Sequence, residues 1–169
     1  VAKINEPEEL AEEIDAAVFG QILHKIVELI YQPHLNTILT AEKISSFAKT
    51  EFIQTITKQA IIDLKLPKEI AQAGNKLQLK IIERIAQKIL ENDASVGKLC
   101  ILKTEEKLVW NELKLEDGTF ATIQGTIDRV DKISDKAVRI IDYKTGQIEM
   151  PKFPNIDSEE SIQKFLDIL

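Results

Sequence analysis

The chain has 169 residues, of which 44% are hydrophobic and 30% charged, and its formal net charge is −6. These values are typical of one soluble globular domain with a sizeable core. No apolar run is long enough to span a membrane, and the acidic N-terminal residues do not resemble a secretory signal, so we expect a cytoplasmic protein. Cys100 is the only cysteine, which excludes an internal disulfide and a four-cysteine iron–sulfur cluster within these residues.

The first part of the chain, residues 15–92, has the periodicity of helices. Apolar residues recur every three or four positions from Asp15, the expected N-cap, to Pro33, where the first helix should end. Thr40 is the expected N-cap of another helix, and helical patterns follow over residues 50–64 and 76–90. The apolar stripe predicted for residues 76–90 consists of Leu77, Ile81, Ile82, Ile85 and Ile89. This helical part has no glycine-rich phosphate loop, so the sequence gives no ATP site.

The second part, residues 97–169, has the shorter periodicity of strands. We expect strands over residues 99–102, 108–115, 120–130 and 137–143, and a hairpin turn at residues 116–118. A final helix should begin near Asp157. We interpret residues 1–169 as a single domain, and because the chain begins at Val1 rather than at a methionine, we expect it to be a piece of a longer protein.

Acidic and basic residues occur together near the ends of two neighbouring predicted strands. Asp128 lies in the run GTIDRVD (residues 125–131), and Asp142 and Lys144 lie in the run IIDYKTG (residues 140–146). Side chains alternate along a strand, so Asp142 and Lys144 should share one face and Tyr143 should point to the other. Two carboxylates from adjacent strands can chelate a hard divalent cation. A lysine beside them can stabilise charge on a phosphate.

The two runs together resemble the nuclease core of the PD-(D/E)XK superfamily, in its RecB-like (AddB-type) exonuclease branch. The resemblance implies an α/β fold of the restriction-endonuclease type, with a mixed sheet flanked by helices and a helical N-terminal half. It implies a metal-dependent DNA nuclease that acts on single- or double-stranded ends, with a helicase partner in DNA repair or recombination. The net charge of −6 argues against strong unassisted DNA binding, and fits a module that receives its strand from a partner.

The resemblance also assigns roles to individual residues. Asp128, Asp142 and Lys144 would be catalytic. The ligands of Mg²⁺ or Mn²⁺ would be His24, Asp128, Asp142 and the backbone carbonyl of Tyr143. Imidazole suits Mn²⁺ better than Mg²⁺.

Two further residues are expected to support the site. The run FGQILHKIVE (residues 19–28) resembles the G-x-x-x-H motif of the family, which makes Gly20 and His24 part of the pattern. A glycine inside a helix costs about 1 kcal/mol against alanine, so Gly20 should allow another element to approach closely. Glu105, between the first two predicted strands, matches a glutamate that often supports the metal site, although Glu106 is adjacent.

Arg129 and Asp131 flank Asp128 and should point to the opposite face of their strand. We therefore interpret these two residues as a structural ion pair or backbone support.

Two other functions remain open from the sequence. One is a non-catalytic DNA-binding or scaffolding module that has kept the fold, and the other is a nuclease acting on RNA. The family also carries a glutamine and, one turn later, a tyrosine on the helix after its D-Y-K-T-G strand. Here Gln163 is followed one turn later by Asp167, so we expect the DNA-holding motif to lie beyond Leu169 in a longer parent.

Overall fold

The structure is a computed structural model that describes residues 14–71, 73–114 and 118–146. Its helices are α1 (Ala16–Tyr31), α2 (Ala41–Phe47), α3 (Thr50–Asp63) and α4 (Lys76–Ser95). Its strands are β1 (Ile38–Thr40), β2 (Lys98–Lys114), β3 (Phe120–Ser134) and β4 (Ala137–Ile141). The final helix predicted from Asp157, and the Gln163 position, lie outside the described residues.

The strands form one sheet in the order β1-β2-β3-β4. Their three pairings are antiparallel, with Leu39 opposite Leu99, Ile101 opposite Asp131, and Arg129 opposite Ile141. The predicted α/β class with a helical N-terminal part is confirmed. The parallel pairing that a mixed sheet contains is not among the pairs of the described residues.

The strand boundaries differ from the prediction in two ways. The sequence did not predict β1, which lies within the helical part and pairs with the start of β2. Residues 99–102 and 108–115 were expected to be separate strands, but β2 runs continuously through the charged residues between them. Backbone pairing with β3 continues on both sides of Glu105, while the side chains of Lys103 and Glu106 project from the sheet and are 49% and 40% exposed.

Side-chain caps begin two helices where the sequence predicts them. The carboxylate of Asp15 accepts a hydrogen bond from the Val18 N–H at 2.7 Å, and the Thr40 hydroxyl accepts one from the Lys43 N–H at 3.4 Å. These bonds satisfy N–H groups that have no partner in the first helical turn. The start of α1, which carries His24, is therefore fixed locally.

The apolar stripe predicted for α4 is partly wrong. Leu77 is 69% exposed and Ile81 is 45% exposed, whereas Ile82, Ala86 and Leu90 are buried. The buried face contacts a core formed by all four helices, β1 and the start of β2. Two apolar residues of β4, Val138 and Ile140, are also substantially exposed.

In the described segments, no helix is both long enough and apolar enough to cross a membrane.

Candidate metal centre

Three side chains from three different elements meet at one point. His24 comes from α1, Glu105 from β2 and Asp128 from β3. The His24 Nδ1 atom lies 3.4 Å from Glu105 Oε1 and 3.6 Å from Asp128 Oδ1. One ligand atom from each residue can be chosen so that all three lie within 4.8 Å of one another. This set of one imidazole and two carboxylates fits Mn²⁺ or Mg²⁺.

The other ring nitrogen of His24 fixes the orientation of the imidazole. His24 Nε2 lies 2.9 Å from the backbone carbonyl oxygen of Tyr143, which can only accept a hydrogen bond. The neutral imidazole therefore carries its proton on Nε2, and the lone pair of Nδ1 faces Glu105 and Asp128. Metal-binding histidines usually donate their second N–H to such a carbonyl or to a carboxylate.

Tyr143, which accepts a hydrogen bond from His24, also holds Asp128 in place. The Tyr143 backbone N–H donates to Asp128 Oδ2 at 2.6 Å, and Oδ1 remains on the side of His24. Asp128 is only 8% exposed, and a buried carboxylate is costly unless it is hydrogen-bonded, so this bond lowers the cost of burying it. Tyr143 thus contacts two of the three grouped residues through its backbone.

Glu105 occupies an unusual backbone conformation inside β2. Its φ is 48°, a left-handed value that costs energy for a residue other than glycine. Burial raises the pKa of the Glu105 carboxyl above its ordinary value; His24 opposes this shift when its ring is protonated, and the charges of Asp128 and Glu28 add to it. A cation between Glu105 and Asp128 would relieve their mutual repulsion.

The structure does not place Asp142 and Lys144 within that group. Asp142 Oδ1 lies 2.9 Å from Lys144 Nζ, and the two side chains are 53% and 61% exposed. The ion pair brings the two side chains together, although both residues lie beyond the end of β4 at Ile141. The hydrogen bond and charge of Asp142, together with the charge of Asp128, raise the pKa of the Lys144 ammonium. The Lys144 side chain is therefore protonated at neutral pH, and the negative charge of Asp128 is one of the causes of its raised pKa.

Gly20 faces the segment that follows β4. A Cβ atom at Gly20 would lie 3.4 Å from the Thr145 hydroxyl oxygen, and Thr145 belongs to the same 142–146 segment as Tyr143. The sequence predicted that another element approaches Gly20 closely, and that element is the 142–146 segment. α1 contacts it at both Gly20 and His24.

On the opposite face from Asp128, Arg129 lies at the centre of a buried polar cluster. Its guanidinium donates two hydrogen bonds to Asp93 at 2.6 and 2.8 Å, and two to Asp131 at 2.8 and 3.0 Å. It also donates to the Tyr143 hydroxyl at 2.8 Å and lies 5.0 Å from the ring centre of Tyr31. Burial alone would lower the Arg129 pKa, but the bonds to Asp93 and Asp131 raise it. The predicted ion pair of Arg129 with Asp131 is confirmed.

The sequence analysis did not single out two members of this cluster. Asp93 is on α4 and Tyr31 ends α1, and the Tyr31 hydroxyl donates to Asp93 at 2.6 Å. A signal was present for Asp93, since it continues the helical spacing of the buried residues Ala86 and Leu90. A charged residue at a core position of a helix requires a buried partner.

Comparison with known proteins gives two matches. Residues 1–166 match a family described as the PD-(D/E)XK nuclease superfamily. Over 146 residues, which is 86% of the chain, the sequence is 28% identical to a protein from Streptococcus equi subsp. zooepidemicus (strain MGCS10565) that is named as a subunit of an ATP-dependent helicase/deoxyribonuclease. The chain spans 12% of the length of that relative.

Proposed function

Because the chain belongs to the PD-(D/E)XK nuclease superfamily, we propose that it hydrolyses phosphodiester bonds of DNA in a reaction that requires a divalent metal ion. The observation that carries the proposal is the grouping of His24, Glu105 and Asp128 within 4.8 Å. These residues offer the nitrogen and oxygen atoms that Mn²⁺ and Mg²⁺ accept. A bound ion there supplies Lewis-acid stabilisation of the phosphate and activation of the attacking water.

We assign Asp142 to the same ligand set, although its carboxylate lies against Lys144. More than half of the Asp142 side chain is exposed, and the next residue, Tyr143, donates its backbone N–H to Asp128, so Asp142 follows the chain to within one residue of that carboxylate. In this proposal Lys144, whose ammonium group lies 2.9 Å from Asp142 Oδ1, would orient the attacking water and stabilise charge that develops on the phosphate. The Tyr143 carbonyl remains a candidate ligand through its second lone pair, because His24 uses one.

The substrate and partner are proposed from the relative. Its name describes a subunit of an ATP-dependent helicase/deoxyribonuclease, and this chain aligns with a small part of it. We infer that the chain is an exonuclease module that degrades DNA ends exposed by a helicase during repair or recombination. The net charge of −6 supports delivery of the strand by a partner, since an acidic chain binds free DNA only weakly. A cytoplasmic location is part of the same proposal.

The test is a cleavage assay on linear single-stranded DNA, linear double-stranded DNA, closed circular DNA and RNA, with Mg²⁺ or Mn²⁺ and with a chelator. We expect metal-dependent loss of linear DNA and survival of circles. Asp128→Ala, Asp142→Ala and Lys144→Ala should each reduce the rate by about 100-fold or more.

Lys132→Ala is the matched control for Lys144→Ala. Lys132 also forms an exposed ion pair, in which its Nζ atom lies 2.7 Å from Asp135 Oδ1, but this pair does not include any of the three grouped residues. This variant should cleave at the wild-type rate. Metal binding without cleavage of any substrate would instead favour the non-catalytic module, and faster cleavage of RNA would favour the RNA nuclease.

A further inference from the structure

The segment that carries the proposed catalytic residues has little to hold it in place. β4 ends at Ile141, and residues 142–146 follow without strand structure. Asp142 and Lys144 are more than half exposed, so their side chains provide no buried anchor. Tyr143 differs from both neighbours, because its ring packs against the hydrophobic core and stands edge-on to the His24 ring at a centroid distance of 5.9 Å.

Tyr143 is connected on both sides. Its hydroxyl receives a hydrogen bond from Arg129 at 2.8 Å, and Arg129 is itself fully buried between Asp93 and Asp131. Its backbone N–H donates to Asp128, and its carbonyl accepts from His24. A buried, hydrogen-bonded cluster is thus joined to the candidate metal centre through Tyr143.

We propose that Tyr143 is a positioning residue whose hydroxyl, held by Arg129, sets the orientation of His24 and Asp128 through the Tyr143 backbone. The part of this inference that concerns metal binding rests on the proposed function. The hydroxyl fixes the ring, and the ring fixes the peptide groups on either side of its Cα atom. The carbonyl then selects the His24 tautomer that leaves Nδ1 free, and the N–H holds Asp128 beside it. Arg129 acts one step further back, through its hydrogen bond to the Tyr143 hydroxyl.

The cluster supplies a matched control for this role. Tyr31 also places its hydroxyl in the cluster, where it donates to Asp93, and its ring is also packed in the core. Tyr143→Phe and Tyr31→Phe therefore each remove one oxygen atom from the same buried network. They differ in that the structure places the backbone of Tyr143, and not that of Tyr31, in contact with His24 and Asp128.

The first measurement uses the 169-residue chain without metal. The sequence has two histidines, so ¹⁵N-histidine labelling gives the nitrogen signals of two imidazole rings, and His34→Gln assigns them. At a pH where the rings are neutral, long-range ¹H–¹⁵N spectra should show His24 protonated on Nε2 in the wild type and in Tyr31→Phe. In Tyr143→Phe we expect a mixture of the two tautomers. A wild-type tautomer in Tyr143→Phe would overturn the proposal.

The second measurement is Mn²⁺ affinity, obtained by calorimetry or by the electron paramagnetic resonance signal of free Mn²⁺. Loss of groups that orient metal ligands typically reduces affinity 10–100-fold, and we expect about 10-fold for Tyr143→Phe because its hydroxyl acts at one remove. Tyr31→Phe should stay within about twofold of the wild type. Equal losses in the two variants would refute a specific positioning role. Absence of Mn²⁺ binding by the wild type would refute the proposed function, and the tautomer measurement would still decide this inference.

Discussion

Replacing Arg129 with methionine should lower the free energy of unfolding by about 3–5 kcal/mol. Arg129 is 0% exposed and contributes two hydrogen bonds to each of two buried carboxylates. Methionine keeps most of the aliphatic stem but leaves Asp93 with the Tyr31 hydroxyl and Asp131 with Arg139. Breaking a buried ion pair by removing one partner is costly because a charge remains in the interior. Ordinary domains have about 5–15 kcal/mol of stability, so this loss is a large fraction.

The assay is urea unfolding followed by circular dichroism, with Arg139→Met as the control. The Arg139 side chain is 35% exposed and also bonds Asp131, which keeps Arg129 as a partner. Loss of such a partly exposed pair should cost about 1 kcal/mol or less. Adding Asp93→Asn to Arg129→Met should recover part of the loss, because it removes one of the uncompensated charges. Equal losses for the two arginine variants, or no recovery in the double variant, would contradict this reasoning.

Three further predictions concern the metal centre. Mn²⁺ at 100 times its dissociation constant should stabilise the wild type by about 2.7 kcal/mol in a thermal melt, and the shift should disappear in Asp128→Ala. His24→Ala should weaken Mn²⁺ binding more than Mg²⁺ binding in titrations, because imidazole suits the softer ion; equal losses would argue that His24 is not a ligand. Gly20→Ala should raise the melting temperature slightly, since alanine favours the helix by about 1 kcal/mol and its Cβ would only meet the Thr145 oxygen at 3.4 Å. Gly20→Leu should instead displace Thr145 and reduce Mn²⁺ affinity.

The family and the helical half of the fold were predictable because their signals are local. The spacing of Asp128, Asp142 and Lys144 carries the nuclease resemblance, and the match over residues 1–166 confirms the family. Asp15 and Thr40 cap helices through contacts with residues three positions away, which a sequence displays directly. The predicted starts of α1 and α2 were therefore correct.

Long-range contacts explain what could not be predicted. Glu105 was expected between two strands, yet it lies within one continuous strand in a left-handed conformation and contacts His24. Its place depends on pairing of β2 with β3, which no pattern around residue 105 encodes. The errors at Leu77 and Ile81 have a related cause, because helical periodicity identifies an apolar stripe but not which part of it contacts the core. Whether Asp142 is a ligand stays a prediction.

The position of His24 on a core helix has a kinetic consequence. His24 and Tyr143 are separated by 119 residues, and His24 lies between the buried residues Leu23 and Ile26 of α1. The candidate metal centre can therefore form only after α1 has docked against the sheet, and contacts between residues so distant in the chain are slow to form. A metal ion that binds the native state but not the transition state slows unfolding and leaves the folding rate unchanged. In stopped-flow experiments, Mn²⁺ should therefore lower the unfolding limb of the chevron plot and leave the folding limb in place.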